Sequence, residues 1–137
     1  MDQEHRIYMQ QCMDLAKIAL QKGESPVGSL LVHKAQVIGQ GIESGKATKD
    51  ITDHAEILAI RNAIHNGFGH LLKSAYLYTT HEPCIMCSYV IRHHHIPKVI
   101  YGTPVDFMGG TTSNFKVLET EEIPKWGTKP KIIRFLP

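Results

Sequence analysis

From residue 4 to residue 21, apolar side chains recur at helical spacing: Tyr8, Met9, Cys12, Met13, Ala16, Ala19 and Leu20, with Gln10, Gln11, Asp14 and Lys17 among the positions between them. That period lays one apolar stripe along a helix. Gly23 supplies the left-handed residue that commonly ends a helix, and Pro26 cannot continue one. Two short β-branched runs follow, Val27 to His33 and Gln36 to Gly41, and predict an antiparallel hairpin around Lys34-Ala35. Residues 42–52, IESGKATKDIT, are polar and read as a loop. A second helical period through Ile57, Leu58, Ile60, Ala63 and Ile64 predicts a helix from His54 to Asn66, capped by Asp53 or Thr52 and ended by Gly67 and Gly69. Ala75 to Thr79 reads as a strand. Pro83, placed in the first turn, opens a helix from Cys84 to His94. Lys98 to Tyr101 is a strand, residues 102–116 a glycine-rich loop, and Lys131 to Phe135 a last strand.

Strands alternating with helices imply an α/β layer structure with a mixed sheet. Residues 1–137 show no repeat, low-complexity tract or linker, so a single domain is expected. An apolar fraction of 42% and a charged fraction of 20% exclude a disordered or fibrous chain. There is no apolar run of about eighteen residues to span a membrane. The opening MDQEHRIYMQQ lacks the apolar segment of a secretory signal, and the expected compartment is the cytoplasm. A net charge of +2 neither demands nor excludes a nucleic-acid partner.

Three cysteines do not make a disulfide framework. Cys12 falls on the apolar stripe of the first helix and reads as a core thiol. Cys84 and Cys87 form a C-x-x-C, which alone suits a redox pair or half of a structural zinc site; His54 and Glu56 form an H-A-E, which alone says almost nothing. Together, H-x-E followed by P-C-x-x-C is the signature of zinc-dependent nucleobase deaminases. An imidazole and two thiolates make a three-ligand zinc set that leaves a fourth position for water. Cys84 and Cys87 share a helix face at the positive end of the helix dipole, which favours thiolates. Glu56 is free to take a proton from a metal-activated water and hand it to a leaving amine. The chemistry expected is attack by water on an amidine-like ring carbon with loss of ammonia.

The segments PVGSLLV, TDHAEILAIRNA, LYTTHEPCIMCSYVI and IPKVIYG, in that order between Pro26 and Gly102, resemble the cytidine deaminase-like superfamily. The branch they resemble holds bacterial tRNA adenosine deaminases, guanine deaminases and fungal cytosine deaminase. The resemblance implies a three-layer α/β/α fold with a mixed five-stranded sheet, one zinc ion per chain and a homo-oligomer, most simply a dimer. It assigns His54, Cys84 and Cys87 to the metal and Glu56 to proton shuttling, and it gives the backbone N–H of Cys84 a catalytic part in holding the reacting oxygen. The chain also departs from the branch. Glu43 stands eleven residues before His54, where an asparagine commonly contacts the substrate ring, and Asp53 replaces a small residue. The tail TEEIPKWGTKPKIIRFLP lacks the long helix of the tRNA enzymes.

Glu43, Asp53, His81 and Phe107 are the candidate substrate contacts. Each has a plainer reading: a solvated charge for Glu43, a helix cap for Asp53, a strand-end residue for His81, and core packing for Phe107 and Phe115. Met108 to Thr111 reads as a mobile loop or lid, and Trp126 as an anchor for the tail or a pocket wall. His93, His94 and His95 read as helix-end charges or subunit contacts in preference to a second metal site. Lys125, Lys129, Lys131 and Arg134 form a basic cluster suited to solubility. The first reading is therefore hydrolytic deamination of a nucleobase, nucleoside or related aminated heterocycle of the guanine, cytosine or aminotriazine type. The alternative within the class is adenosine in a tRNA loop, a partner that the low charge and Glu43 weigh against. A non-enzymatic zinc-binding interaction module is the alternative outside it, opposed by Glu56 and by the want of a fourth protein ligand.

Overall fold

The computed structural model describes residues 2–137. Helix α1 (Gln3–Gln21) begins with the Asp2 carboxylate accepting from the Glu4 N–H. It ends as the sequence predicts, with Gly23 at φ +85° and the Glu24 N–H reaching back to the Ala19 carbonyl. These bonds close a Schellman motif. Tyr8, Met9, Cys12, Ala16 and Ala19 are buried, whereas Leu20 faces solvent, one position beyond the stripe.

Strands β1 (Gly28–His33) and β2 (Gln36–Ile42) form the expected hairpin. Its turn has φ +48° at Lys34 and +62° at Ala35, the left-handed pair that matches the twist of the strands, adopted here without Asn or Gly. The polar stretch after β2 is not all loop, because it contains a one-turn helix, α2 (Gly45–Thr48). Helix α3 (Ala55–His65) follows, then a 3₁₀ segment over Gly69–Ser74, β3 (Tyr76–His81), α4 (Ile85–His93), β4 (Lys98–Thr103) and β5 (Lys131–Arg134). Ile64, read as part of the buried face of α3, is partly exposed at its last turn.

The sheet has the order β2-β1-β3-β4-β5; β1 runs antiparallel to both β2 and β3, while β3, β4 and β5 are parallel. Successive side chains of a strand point to opposite faces. Accordingly Leu30, Val32 and Tyr78 pack with Tyr8, Met9 and Cys12 of α1 on one face. Leu31, Ile38, Leu77 and Val99 pack with Ala59, Ile60 and Ala63 of α3 and Ile91 of α4 on the other. This is the three-layer α/β/α arrangement with a mixed five-stranded sheet. The start of α3 lies directly on β2, where a Cβ on Gly41 would overlap the Ala55 carbonyl. That close seating fixes the position of His54, the residue just before Ala55.

Candidate active site

His54 and Cys84 are the N-cap residues of α3 and α4, both in extended backbone (φ −72°, ψ 152° and φ −73°, ψ −179°). Neither side chain caps its own helix. Pro83 therefore precedes the cap of α4 and does not sit in its first turn, because Cys84 has not yet entered the helix. Cys87, one turn on, shares the face below Cys84. The His54 Nδ1 atom lies 3.6 Å from the Cys84 sulfur and 3.5 Å from the Cys87 sulfur. All three candidate ligand atoms fall within 4.8 Å of one another. Ligands about 2.0–2.3 Å from a tetrahedral zinc stand about 3.5 Å apart, and the two His54–sulfur distances match that spacing. Hydrogen bonds from Cys87 and His54 bring the Cys84 thiol down to about 4. The Cys84 sulfur raises His54 to about 9, and the same sulfur, together with burial, pushes the Cys87 thiol up. A cation entering this cluster displaces protons from its ligands.

Glu56 occupies the first turn of α3 with only 4% of its surface exposed. Burial, more than any neighbour, lifts its carboxyl to about 8. A carboxyl group that can hold or release a proton near neutrality, in the same turn as a metal ligand, is equipped for general acid–base work.

Glu43 lies where its charge reaches the cluster and helps to raise His54. Its backbone N–H donates to the Val27 carbonyl, and its carboxylate accepts from the Gly45 N–H at 3.2 Å. Glu24, 5% exposed, accepts from the next two N–H groups of α2, Lys46 at 3.0 Å and Ala47 at 2.7 Å. The exposed N–H groups at the start of α2 are thus filled by two protein carboxylates. Sequence reasoning passed over Glu24. Its one signal is that it directly follows the helix-ending glycine, a place more often apolar.

Asp53 does not cap α3. Its carboxylate turns to the Arg61 guanidinium at 2.7 Å, two turns down the helix, because His54 already holds the cap position. His81 ends β3 with its Nδ1 3.1 Å from the Thr80 hydroxyl, in the wall of a cavity on the α1 side, and burial lowers its pKa. Phe107 is 85% exposed at φ +65°, and Phe115 is also exposed, so neither packs the core. The glycine-rich loop is less free than a lid. Glu82, 1% exposed, accepts from the backbone of Val105, Thr111 and Thr112 and from the Thr112 hydroxyl. Gly109 pairs with Cys84, and the Gly110 N–H donates to the Pro83 carbonyl at 2.8 Å. Glu82 also went unrecognised in the sequence, although it ties this loop to the metal-ligand turn.

Trp126 anchors the tail, with the Arg92 guanidinium 5.0 Å from its ring centroid and the Tyr89 ring at 5.8 Å. His93 to His95 end α4. His95 takes φ +57°, and the Ile96 N–H returns to the Ile91 carbonyl, a second Schellman motif built on histidine. Cys12 is fully buried and donates to the Tyr78 carbonyl, as a core thiol should. Lys129 pairs with Glu121 at 3.5 Å, which removes one member of the basic cluster.

The sequence profile of the cytidine and deoxycytidylate deaminase zinc-binding region matches residues 2–103. The tRNA-specific adenosine deaminase 2 of Danio rerio is 35% identical over 138 aligned positions, which cover 96% of this chain and 64% of the relative's length. A structure from work on A-to-I editing by deaminases acting at the wobble position of transfer RNA superposes with a TM-score of 0.85 at 29% identity, covering 96% of this chain and 99% of the other. Guanine deaminase from Bacillus subtilis superposes with a TM-score of 0.69 at 28% identity, covering 76% of this chain and 66% of the other.

Proposed function

Because the chain belongs to the cytidine and deoxycytidylate deaminase zinc-binding family, we propose that it converts adenosine to inosine in a tRNA anticodon loop by zinc-dependent hydrolysis. The observation that carries this reading is the reach of the likeness. Similarity to tRNA-acting deaminases runs along nearly the whole chain, while similarity to guanine deaminase covers a smaller part of it. This moves the assignment from a free nucleobase, the first reading of the sequence, to the alternative. The charge of +2 does not outweigh that correspondence.

His54, Cys84 and Cys87 hold the zinc ion in this reading. The ion, when bound, supplies Lewis acidity toward water. Glu56 takes a proton from the attacking water and returns it to the departing amino group, its burial keeping the carboxyl available in both states. The C6–N6 bond breaks, a C6–O bond forms, and ammonia leaves. The Cys84 N–H, at the start of α4, would donate to the developing negative charge on oxygen. Glu43 meets the ring edge, and Phe107 offers a flat face to a base. The reading includes a cytoplasmic homodimer with one catalytic domain per chain as a further part of the proposal. No described helix is long and apolar enough to cross a membrane.

One observation favours a second reading, a free guanine-like base: the Glu43 carboxylate only accepts hydrogen bonds and suits a donor-rich ring. Incubating zinc-loaded protein with an anticodon stem-loop and, separately, with guanine, cytosine and adenosine decides between them. Inosine in the RNA supports the proposal. Ammonia from free guanine with no inosine in RNA replaces it by the second reading.

A further inference from the structure

Arg92 lies in the last turn of α4 with only 2% of its surface exposed. Its Nη1 atom donates to three carbonyls, those of Val117 at 3.3 Å, Leu118 at 3.2 Å and Thr120 at 2.7 Å. The other edge of the guanidinium, Nε and Nη2, is buried and meets no acceptor. No carboxylate among the described residues pairs with it, and burial lowers its pKa. Buried donors without an acceptor, and a buried charge without a counter-charge, both cost stability. Groups kept at such a cost are commonly found where function needs a fixed geometry.

The three carbonyls belong to a segment that leads back to the metal-ligand turn. Leu118, fully buried in the same core cluster as Ile91 of α4, donates its N–H to the Gly110 carbonyl at 3.0 Å. Gly110 donates its own N–H to the Pro83 carbonyl at 2.8 Å, and Gly109 pairs with Cys84. This route has no slack. A Cβ on Gly110 would overlap the Ser88 hydroxyl, and one on Gly109 would overlap the Glu82 carboxylate. A shift at residues 117–120 therefore passes to Pro83 and Cys84 through contacts that are already tight. Arg92 itself stands eight residues after Cys84, about 12 Å along the helix axis, too far to touch the ligands directly.

We propose that Arg92 is a positioning residue for the metal-ligand turn: by gathering the carbonyls of Val117, Leu118 and Thr120 it braces Gly109 and Gly110 against Pro83 and Cys84, and so keeps Cys84 and Cys87 placed for the metal. The inference rests on the zinc-dependent reading above and names what holds the two sulfur ligands from behind. A lysine in place of Arg92 offers three donors from one nitrogen, on a shorter arm and without the planar fork. A methionine offers none.

The test compares Arg92→Met, Arg92→Lys and Trp126→Leu with the wild-type chain. Three quantities are read: hydrogen exchange at the Gly110 and Leu118 amides, the rate at which a chelator takes zinc from the loaded protein, and kcat and KM for deamination. In Arg92→Met both amides should exchange faster. Zinc should leave about tenfold faster and kcat should fall about tenfold with KM unchanged, the low end of what losing an outer partner of a metal site costs. Arg92→Lys should recover part of each loss. Trp126→Leu takes the ring off the guanidinium, 5.0 Å away, but leaves the Nη1 bonds, so zinc release and kcat should stay at their wild-type values. Faster amide exchange with unchanged zinc release and kcat would reduce Arg92 to a support of its own loop and overturn the inference. Faster zinc release with both amides still protected would overturn it as well, and so would a Trp126→Leu variant that matches Arg92→Met. If Arg92→Met does not fold, the same readings on Arg92→Lys decide, with the same outcomes for and against. If the wild-type protein deaminates none of the substrates offered, the functional reading fails on its own account, while amide exchange and zinc release still decide the part of Arg92.

Discussion

Glu56 and Cys87 occupy the first turns of α3 and α4, yet mutation should separate them. Glu56→Gln keeps the cavity filled and leaves the three ligands in place, so zinc analysis should still give one equivalent. Turnover should fall about 10²–10⁴-fold, the usual contribution of a general acid–base group. Cys87→Ala removes a ligand, and zinc itself should be lost on dialysis. Near-wild-type ammonia release from the first variant, or full zinc in the second, would break the assignment. Glu43 tests specificity. An ionised carboxylate cannot donate to an acceptor on the ring, while an asparagine amide both donates and accepts. Glu43→Asn should therefore raise kcat/KM on adenosine relative to donor-rich rings such as guanine, and an unchanged ratio across a substrate panel would remove Glu43 from the specificity set. At this scale the metal cluster was legible in the sequence, because His54, Cys84 and Cys87 have a spacing that few other sites share. Glu24, Glu82 and Arg92 belong to no such pattern. Each is a single polar residue whose meaning lies in distant acceptors or donors: Lys46 and Ala47, Val105 to Thr112, and the carbonyls of Val117, Leu118 and Thr120.

Among the elements, the loop after β4 depends on one carboxylate. Glu82→Ala would leave the partly buried N–H groups of Val105, Thr111 and Thr112 without their protein acceptor. An unsatisfied buried donor costs about 1–3 kcal/mol, and water can reach these partly buried groups, so the loss of stability should be about 1–3 kcal/mol in all. Hydrogen exchange should rise first over residues 105–112, ahead of the rest of the sheet. Uniform exchange across the chain would mean that Glu82 does not hold this loop. The end of α4 offers the opposite experiment. His95 carries a Cβ at φ +57°, a conformation that glycine adopts freely. His95→Gly should raise the denaturation midpoint, by about 0.5–1 kcal/mol in stability, unless the imidazole has an interaction worth more than the strain. The same geometry explains what could be read at this level. Gly23 and Gly67 announced two helix ends because glycine is the common solution, whereas α4 ends on a histidine that only the backbone reveals. Helix α2 was invisible because its N–H groups are satisfied by Glu24, more than twenty positions away. Asp53 looked like a cap because of its place beside a helix start, and the ion pair with Arg61 overrode that local preference.

The layered order of the whole molecule was legible, since the two helical periods and the strand runs each had one apolar face, and burying both requires helices on both sides of the sheet. What could not be read was where the layers leave space and which titratable groups they enclose, and these govern how the molecule responds to acid. Burial lowers the pKa of His81, and burial together with the neighbouring His93 and His95 lowers that of His94. In the unfolded chain both return to the ordinary value of 6.5. As pH falls through that value the unfolded chain takes up protons that the folded chain refuses. The two histidines thus contribute stability that is complete above about pH 6.5 and declines below it until their folded values are reached. Urea midpoints measured from pH 8 to pH 5 should therefore drop on the acid side. The drop should be shallower in His81→Gln and in His94→Gln, and shallowest in the double variant. If the double variant keeps the full slope, other groups carry the acid sensitivity and the part given to these two histidines is wrong.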